Sequence, residues 1–571
     1  MQRRTMENIF SSDLEELAKQ IFGPGKVWKH DQLNDYTEAA SKSHNEGKID
    51  LLQVVFTNHF GRLEGHSFFS GQHFYCEVIP KLSASVEEVM NTVEALVSKA
   101  GQDLAANQPN AALRSWLAED IQRSQAVIAK AEANDGLAVR HATFALQASN
   151  DIDRALKWLD EYTDSRRVSA IAALGRLDFG SNGRAIEVLA KLGSIAKKAH
   201  DDLTMQNIVG AMFAIAHSGK CFTDRRFPNE LSVCLCEPGA GTQYQLATAL
   251  WQHADALPLL VITKVLDALE AINPEHGGTL TQIDLALTKV WQTGHFTECI
   301  AYFANLVQPL GKVDNEKFSS FLRAVLADTE QNLGDAYVEW FKTGAHSLCN
   351  CVASAFRSET DMVPGFDLSG KWRSLSDVEA LFVARKAVGF LFFSPRVACR
   401  FLIAAIRHSS PELTGQLTEL LFNPLALNFG GSVPEELEKV ASTDPAYTAV
   451  QDVLSRYKTY RAGRSNVGVI REFQPSERQR QIEWQKRNAE MRAIQKNAMK
   501  QSVFFDLVSH STLLYGKSSR SFHDDLAGGR KMTQTPMHTH TTSIELPQLQ
   551  IFDPTGLNYS LRMFQAEKLK S

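Results

Sequence analysis

The 571-residue chain has only eight cysteines, far below the density of disulfide-stapled extracellular scaffolds. That scarcity predicts reduced thiols and a cytoplasmic setting. Long apolar runs are missing as well. The most apolar stretch, 376–410, is interrupted by Arg385, Lys386, Arg396 and Arg400 and divided by Pro395. A membrane-spanning helix needs about 20 predominantly apolar residues, so two buried helices meeting at Ser394-Pro395 are expected instead, with no membrane association. The N-terminal MQRRTMENIFSSDLEEL has arginines but no apolar core, and no secretory signal is read there. Catalytic signatures are scarce too. The chain contains neither Gly-x-Ser-x-Gly nor His-Glu-x-x-His. Ser511–Ser518 approximates a phosphate-binding loop, but it lacks the leading glycine and only 53 residues follow it.

A large charge excess is the last absence. The chain has 60 Lys+Arg against 65 Asp+Glu, a net of −5, with 44% hydrophobic residues and a mean hydropathy of −0.21. Those values exclude a histone-like basic protein and a wholly disordered chain. The near-balance conceals an asymmetry. Residues 456–571 hold 19 basic and 10 acidic residues, a net of +9, leaving −14 for residues 1–455. The chain is an acidic body with a basic C-terminal arm.

What the body does have is helical periodicity. In 164–179, Val168, Ile171, Leu174 and Leu177 recur every third residue after Asp164 or Ser165 as N-cap. Ile186, Leu189, Leu192 and Ile195 follow in the same rhythm, then Met205, Ile208, Met212 and Ile215. Further helices are predicted at Gln245–His253, Leu257–Ile272, Thr281–Trp291, Phe296–Leu306, Phe318–Leu326, Ala336–Phe341, Val378–Gly389, Ala398–Ile406 and Glu412–Leu421. Pairs arrive every ~35–45 residues with short connections, the spacing of helical solenoids.

The run Asp164-Ser165-Arg166-Arg167-Val168-Ser169-Ala170-Ile171-Ala172-Ala173-Leu174-Gly175 resembles the first helix of a HEAT or armadillo-type repeat, with Ile186 to Ile195 in the place of the second. The likeness is best over about 150–220. It implies architecture, a curved helical scaffold with a concave binding surface, and no reaction.

The fold class expected is therefore all-α, an α-α superhelix of antiparallel helix pairs like a HEAT solenoid. Residues 1–80 read as a small irregular, aromatic and His-rich region; 55–76 mixes five phenylalanines with three glycines and three histidines, suggesting a loop or short strands. The repeat body spans 81–455, a basic linker 456–475, and a basic helix 476–502 opened by a capping box at Ser476 and Gln479. The tail, 503–571, carries alternating Ile544, Leu546, Leu549 and Ile551 before Asp553-Pro554-Thr555-Gly556, which suggests a β-hairpin within 541–565.

Binding residues are sought in the arm: Arg456, Lys458, Arg461, Arg464, Arg478, Arg480, Trp484, Lys486, Arg487, Arg492, Lys496 and Lys500. Cations displace phosphate counterions, and an aromatic face can stack on bases. A solvated helix docked on the acidic body is the competing reading, and the charge looks spread around the helix. Candidates for catalysis or metal chemistry are His59, Glu64 and His66, and His523 with Asp524. The pairs Cys234/Cys236 and Cys349/Cys351 read as buried thiols. No resident metal or cofactor is implied. The favoured function is non-enzymatic, a scaffold or adaptor binding a protein partner within a multi-component assembly. The alternatives are a nucleic-acid-binding subunit using the basic arm and a metal-dependent nuclease or hydrolase.

Overall fold

The computed structural model describes residues 10–22, 30–101, 107–199, 201–309, 315–358, 364–466, 475–501, 518–524, 530–536 and 545–569. Among the described residues the fold is all-α apart from one short hairpin. Its first helices are α1 (Leu14–Phe22), α2 (His30–Asn45), α3 (Asn58–Gly61), α4 (Gly65–Val78), α5 (Val86–Ala100), α6 (Asn107–Ala118), α7 (Ile121–Glu132), α8 (Gly136–Ser149) and α9 (Ile152–Glu161). There follow α10 (Ser165–Leu174), α11 (Asn182–Ala196), α12 (Asp202–Ser218), α13 (Arg226–Cys234), α14 (Ala240–His253), α15 (Leu259–Ala268), α16 (Gly277–Gln292), α17 (Phe296–Val307) and α18 (Ser319–Leu326). Next come α19 (Glu330–Thr343), α20 (His346–Ser358), α21 (Asp377–Leu391), α22 (Pro395–Ile406), α23 (Pro411–Leu420), α24 (Ser432–Glu438), α25 (Tyr447–Asn466) and α26 (Glu477–Gln501). The hairpin β1 (Ser518–Asp524) and β2 (Arg530–Pro536) precedes α27 (Gln548–Phe552) and α28 (Pro554–Ala566).

The helices arrange into two compact units. One comprises Met1–Asn332 with Asn350–Ala355, the other Leu333–Cys349 with Phe356–Ser571. In the first, α6, α8, α10, α12, α14, α16 and α18 form one ladder, and α11, α13, α15 and α17 form a second layer beside it. In the second, α21, α23 and α25 form one row and α22 and α24 the other. The stacked helices bury an apolar face, which neighbouring pairs cover.

The repeat length shows directly in the cross-links. Asp202 accepts from the Gly241 and Thr242 amides at 2.6 and 3.1 Å, 39 and 40 residues on. Asp284, nearly buried, accepts from Ser320 N and Phe321 N at 3.2 and 2.8 Å, across 36 and 37 residues. Asp335 accepts from Lys371 N at 2.6 Å, again 36 residues away. In the first two cases a carboxylate on one pair satisfies amides that open a helix of the next, where the helix dipole also favours negative charge. The ion pairs Arg400–Glu436 and Arg407–Asp444 repeat the spacing at 36 and 37 residues. These separations match the period of ~35–45 expected of helical repeats.

Two local signals hold. Asp164 caps α10 by accepting from Arg166 N, and the chain divides at Ser394-Pro395, with Pro395 in the first turn of α22. Three expectations are corrected. The described residues of 1–80 are not irregular: most lie in α1–α4, and the aromatic run falls largely on α3 and α4. Gly71 lies within α4 because Phe22 of α1 packs on it; an added Cβ would sit 2.0 Å from Phe22 Cδ1. Phe22 in turn meets Phe60 edge-on and stacks on Tyr75, at centroid distances of 5.4 and 5.8 Å, so Phe60, Phe68 and Phe74 are core, whereas Phe56 is exposed. The basic linker begins as helix, since α25 continues through 456–466 and takes Gly463 with it; 467–474 lie outside the described residues.

The hairpin is also displaced. Residues 548–566 are helical because Asp553 accepts from Gly556 N at 2.9 Å and Pro554 occupies the first turn, which makes Asp-Pro-Thr-Gly an N-cap. The strands lie earlier, in antiparallel register from Ser518↔Pro536 to Asp524↔Arg530.

Candidate basic interface

The arm divides into an embedded part and an exposed part. The first two-thirds of α25 bury Val450, Val453, Leu454 and Tyr457 in the second unit. Arg456, on that portion, bonds Glu419 at 2.7 Å, lies 3.6 Å from Asp452, and stacks 4.1 Å over the Phe422 ring. The Glu419 hydrogen bond raises its pKa further, and the pair ties α25 to α23. Arg464 bonds the Gln548 side chain and lies 4.9 Å from the Phe552 ring centre. Both cations are engaged by the chain's own residues. Lys458 and Arg461 are exposed. Arg461 and Arg464, with Tyr457, Tyr460, Ser465 and Gln548, line a shallow hollow of about 290 Å³.

α26 is different in kind. Ser476 accepts from Gln479 N at 3.2 Å, the cap expected from the sequence. Along the helix, every residue with a described side chain is exposed except Asn488, which is intermediate. Even Ile482, Trp484, Met491 and Ile494 are 56%, 67%, 65% and 64% exposed. A helix this polar gains nothing from a core, and none of its described side chains is buried by a neighbour.

Its charge is more ordered than the linear sequence suggests. At ~100° per residue, Arg478, Lys486, Arg492, Lys496 and Lys500 fall within an arc of ~120°. Glu477, Glu483 and Glu490 all fall outside that arc. Arg480 and Arg487 occupy the opposite side, together with Trp484, Met491 and Ile494. The sequence alone left the charge spread around the helix. Once the span of the helix is known, it resolves into a cationic face backed by an aromatic and aliphatic one. The signal was available in the spacing 478, 492, 496, 500.

The histidine and carboxylate candidates do not assemble into a site. His59 sits on α3 with Nε2 buried and without a hydrogen-bond partner, whereas Glu64 is exposed ahead of α4 and caps nothing with its side chain. Glu15 is the carboxylate on α3, accepting from Asn58 N and His59 N at 2.9 and 3.2 Å. His523 and Asp524 lie on β1 opposite Lys531 and Arg530. The side chains of His66, His523, Asp524 and Lys500 lie outside the described residues. Among the described residues, no group of three or more His, Cys, Asp or Glu is placed to hold a metal ion. Of the paired cysteines, Cys234, Cys349 and Cys351 are buried and Cys236 is exposed. Burial pushes the Cys234 and Cys349 thiols up to about 12, leaving them protonated and inert. Among the described residues no helix is long and apolar enough to cross a membrane. No family model, curated protein or solved structure matches the chain.

Proposed function

We propose that the chain is a helical-repeat scaffold that binds an acidic macromolecular partner through α26, as one component of a larger assembly. The observation that carries this reading is the cationic arc of exposed Arg478, Lys486, Arg492 and Lys496, continued along the helix by position 500, which holds no carboxylate. Like charges gathered on one face repel one another. They are tolerated because the face is solvated, and they are relieved when an acidic surface meets it. The stacked helix pairs supply a stiff mount for the arm.

The test is charge reversal in the full chain. Binding to polyglutamate and to a single-stranded oligonucleotide is measured against salt. The wild-type chain is expected to bind with affinity that falls steeply as salt rises. Arg492→Glu with Lys496→Glu abolishes binding, and Arg480→Glu with Arg487→Glu weakens it less. Retention of neither polyanion at ~50 mM salt, where such contacts are strongest, would sink the reading.

A second reading, nucleic acid as the partner, is favoured by Trp484, two-thirds exposed with Arg480 and Arg487 on its side of the helix. Base stacking contributes about 1–3 kcal/mol per aromatic. Trp484→Ala should then weaken the oligonucleotide and leave polyglutamate unchanged. Equal effects on both probes favour a protein partner.

A further inference from the structure

The second unit holds the chain's own C-terminal segment in the manner of a bound peptide. After the 78 residues 467–544, residues 545–569 return to the surface made by α21, α24 and the turn before α24. Glu545 leads: its carboxylate accepts from Gly431 N and Ser432 N at 2.6 and 3.0 Å, capping α24. Leu549 N then donates to Asn428 Oδ1 at 2.9 Å. Leu557 and Leu561, one turn apart on α28, are 3% and 6% exposed. The segment ends on α21, where Lys386 Nζ donates to Gln565 O at 2.6 Å and Arg385 pairs with Glu567 at 2.8 Å. Gln565 also donates to Gly389 O at 2.7 Å.

Three features separate this contact from core packing. α28 buries two of its thirteen residues and α27 none, whereas α21 buries ten of fifteen. Few buried contacts mean local opening at low free energy. Second, two fully buried polar side chains, Lys386 and Asn428, complete their bonding on backbone groups of the segment. Lys386 meets the C-terminal carbonyls of α28, where a cation is favoured by the helix dipole. With the segment lifted, both groups lose that partner. Third, the surface is shaped for a backbone to approach. A Cβ on Gly389 would meet Phe564 Cβ at 3.0 Å and Gln565 Cγ at 3.3 Å, and nothing of the body comes nearer.

We propose that residues 545–569 are an exchangeable docking segment, and that the Asn428–Lys386 surface is a binding site for it that a second copy's segment can occupy in trans. The long connection lowers the effective concentration of the segment at its own site, so a free copy can compete. This surface is separate from the cationic face of α26 and does not depend on it.

The test uses a fluorescein-labelled synthetic peptide of residues 545–569 and three full-length chains. Leu557→Asp with Leu561→Asp releases the chain's own segment and leaves the site intact. Adding Gly389→Trp to that pair fills the site. The peptide is expected to bind the released chain at least ~10-fold more tightly than wild type, because a site occupied ~90% of the time in cis shows that reduction in apparent affinity. It is expected not to bind the Gly389→Trp chain. Equal affinity for wild-type and released chains, or binding that ignores Gly389→Trp, overturns the proposal. A measurement on the wild-type chain alone guards against misfolded variants. Excess unlabelled peptide should speed amide exchange in the chain's own 549–566 and leave α21 unchanged, and no change on adding peptide refutes exchange.

Discussion

Single residues tie each helix pair to the next, and their removal has a definite sign. Asp284 is the clearest: it is almost buried and accepts two amides that open α18. Asp284→Ala leaves both donors unpaired in a dry place, and a loss of about 1–3 kcal/mol is expected, read as a lower urea midpoint. His253 gives a pH dependence. Burial, then the neighbouring His217 ring 4.8 Å away, lower its pKa below the ordinary 6.5. The folded chain thus holds fewer protons at this site than the unfolded one. Its stability contribution is present above pH 6.5 and is lost as pH falls below it. His253→Phe, which keeps the ring against Phe213 and Phe222, should flatten the fall in Tm between about pH 7 and 5. A Tm profile identical to wild type would contradict that assignment.

At the scale of elements, what the sequence disclosed depended on whether a helix had one apolar face. Helices α10, α11 and α12 bury stripes at regular spacing and open on Asp164, Ser181 and Asp201 caps, so periodicity and capping agreed. α4 was illegible for a physical reason. It packs against α1, α2 and α6, and its exposed side is a thin stripe that includes His73 and Glu77, so no broad polar face sets the rhythm. Its internal glycine answers to Phe22, a residue 49 positions earlier that no local window contains. Gly71→Ala is expected to destabilise the first unit by about 1–3 kcal/mol through overpacking, measured by thermal denaturation. The displaced hairpin has the opposite lesson. Asp553-Pro554-Thr555-Gly556 has the geometry of a type I turn and also of the first turn of a helix. The two Leu side chains that follow at 557 and 561 decide for the helix. The candidate interface was half legible: composition located the arm, but its division into embedded α25 and exposed α26 needed the packing of Tyr457 and Arg456.

For the molecule as a whole, the cross-links define how far a disturbance travels. In the first unit the carboxylate caps and buried side-chain bonds span about one repeat: Asp202 to Thr242, Tyr302 to Leu269, Asp284 to Phe321, at 40, 33 and 37 residues. A helix pair therefore feels its neighbours and little beyond them, which is the behaviour of a one-dimensional stack. Native-state amide exchange in Asp284→Ala should show this. Faster exchange is expected in α16 and α18, which the carboxylate joins, and a smaller increase in α14, which packs on α16. Helices α6–α8, several repeats away, should exchange at the wild-type rate, because α16 packs on α14, α17 and α18 instead. A uniform rise across the first unit would show instead that it unfolds as a single cooperative block. In that case the stacked pairs would be a shared core rather than a chain of nearest neighbours.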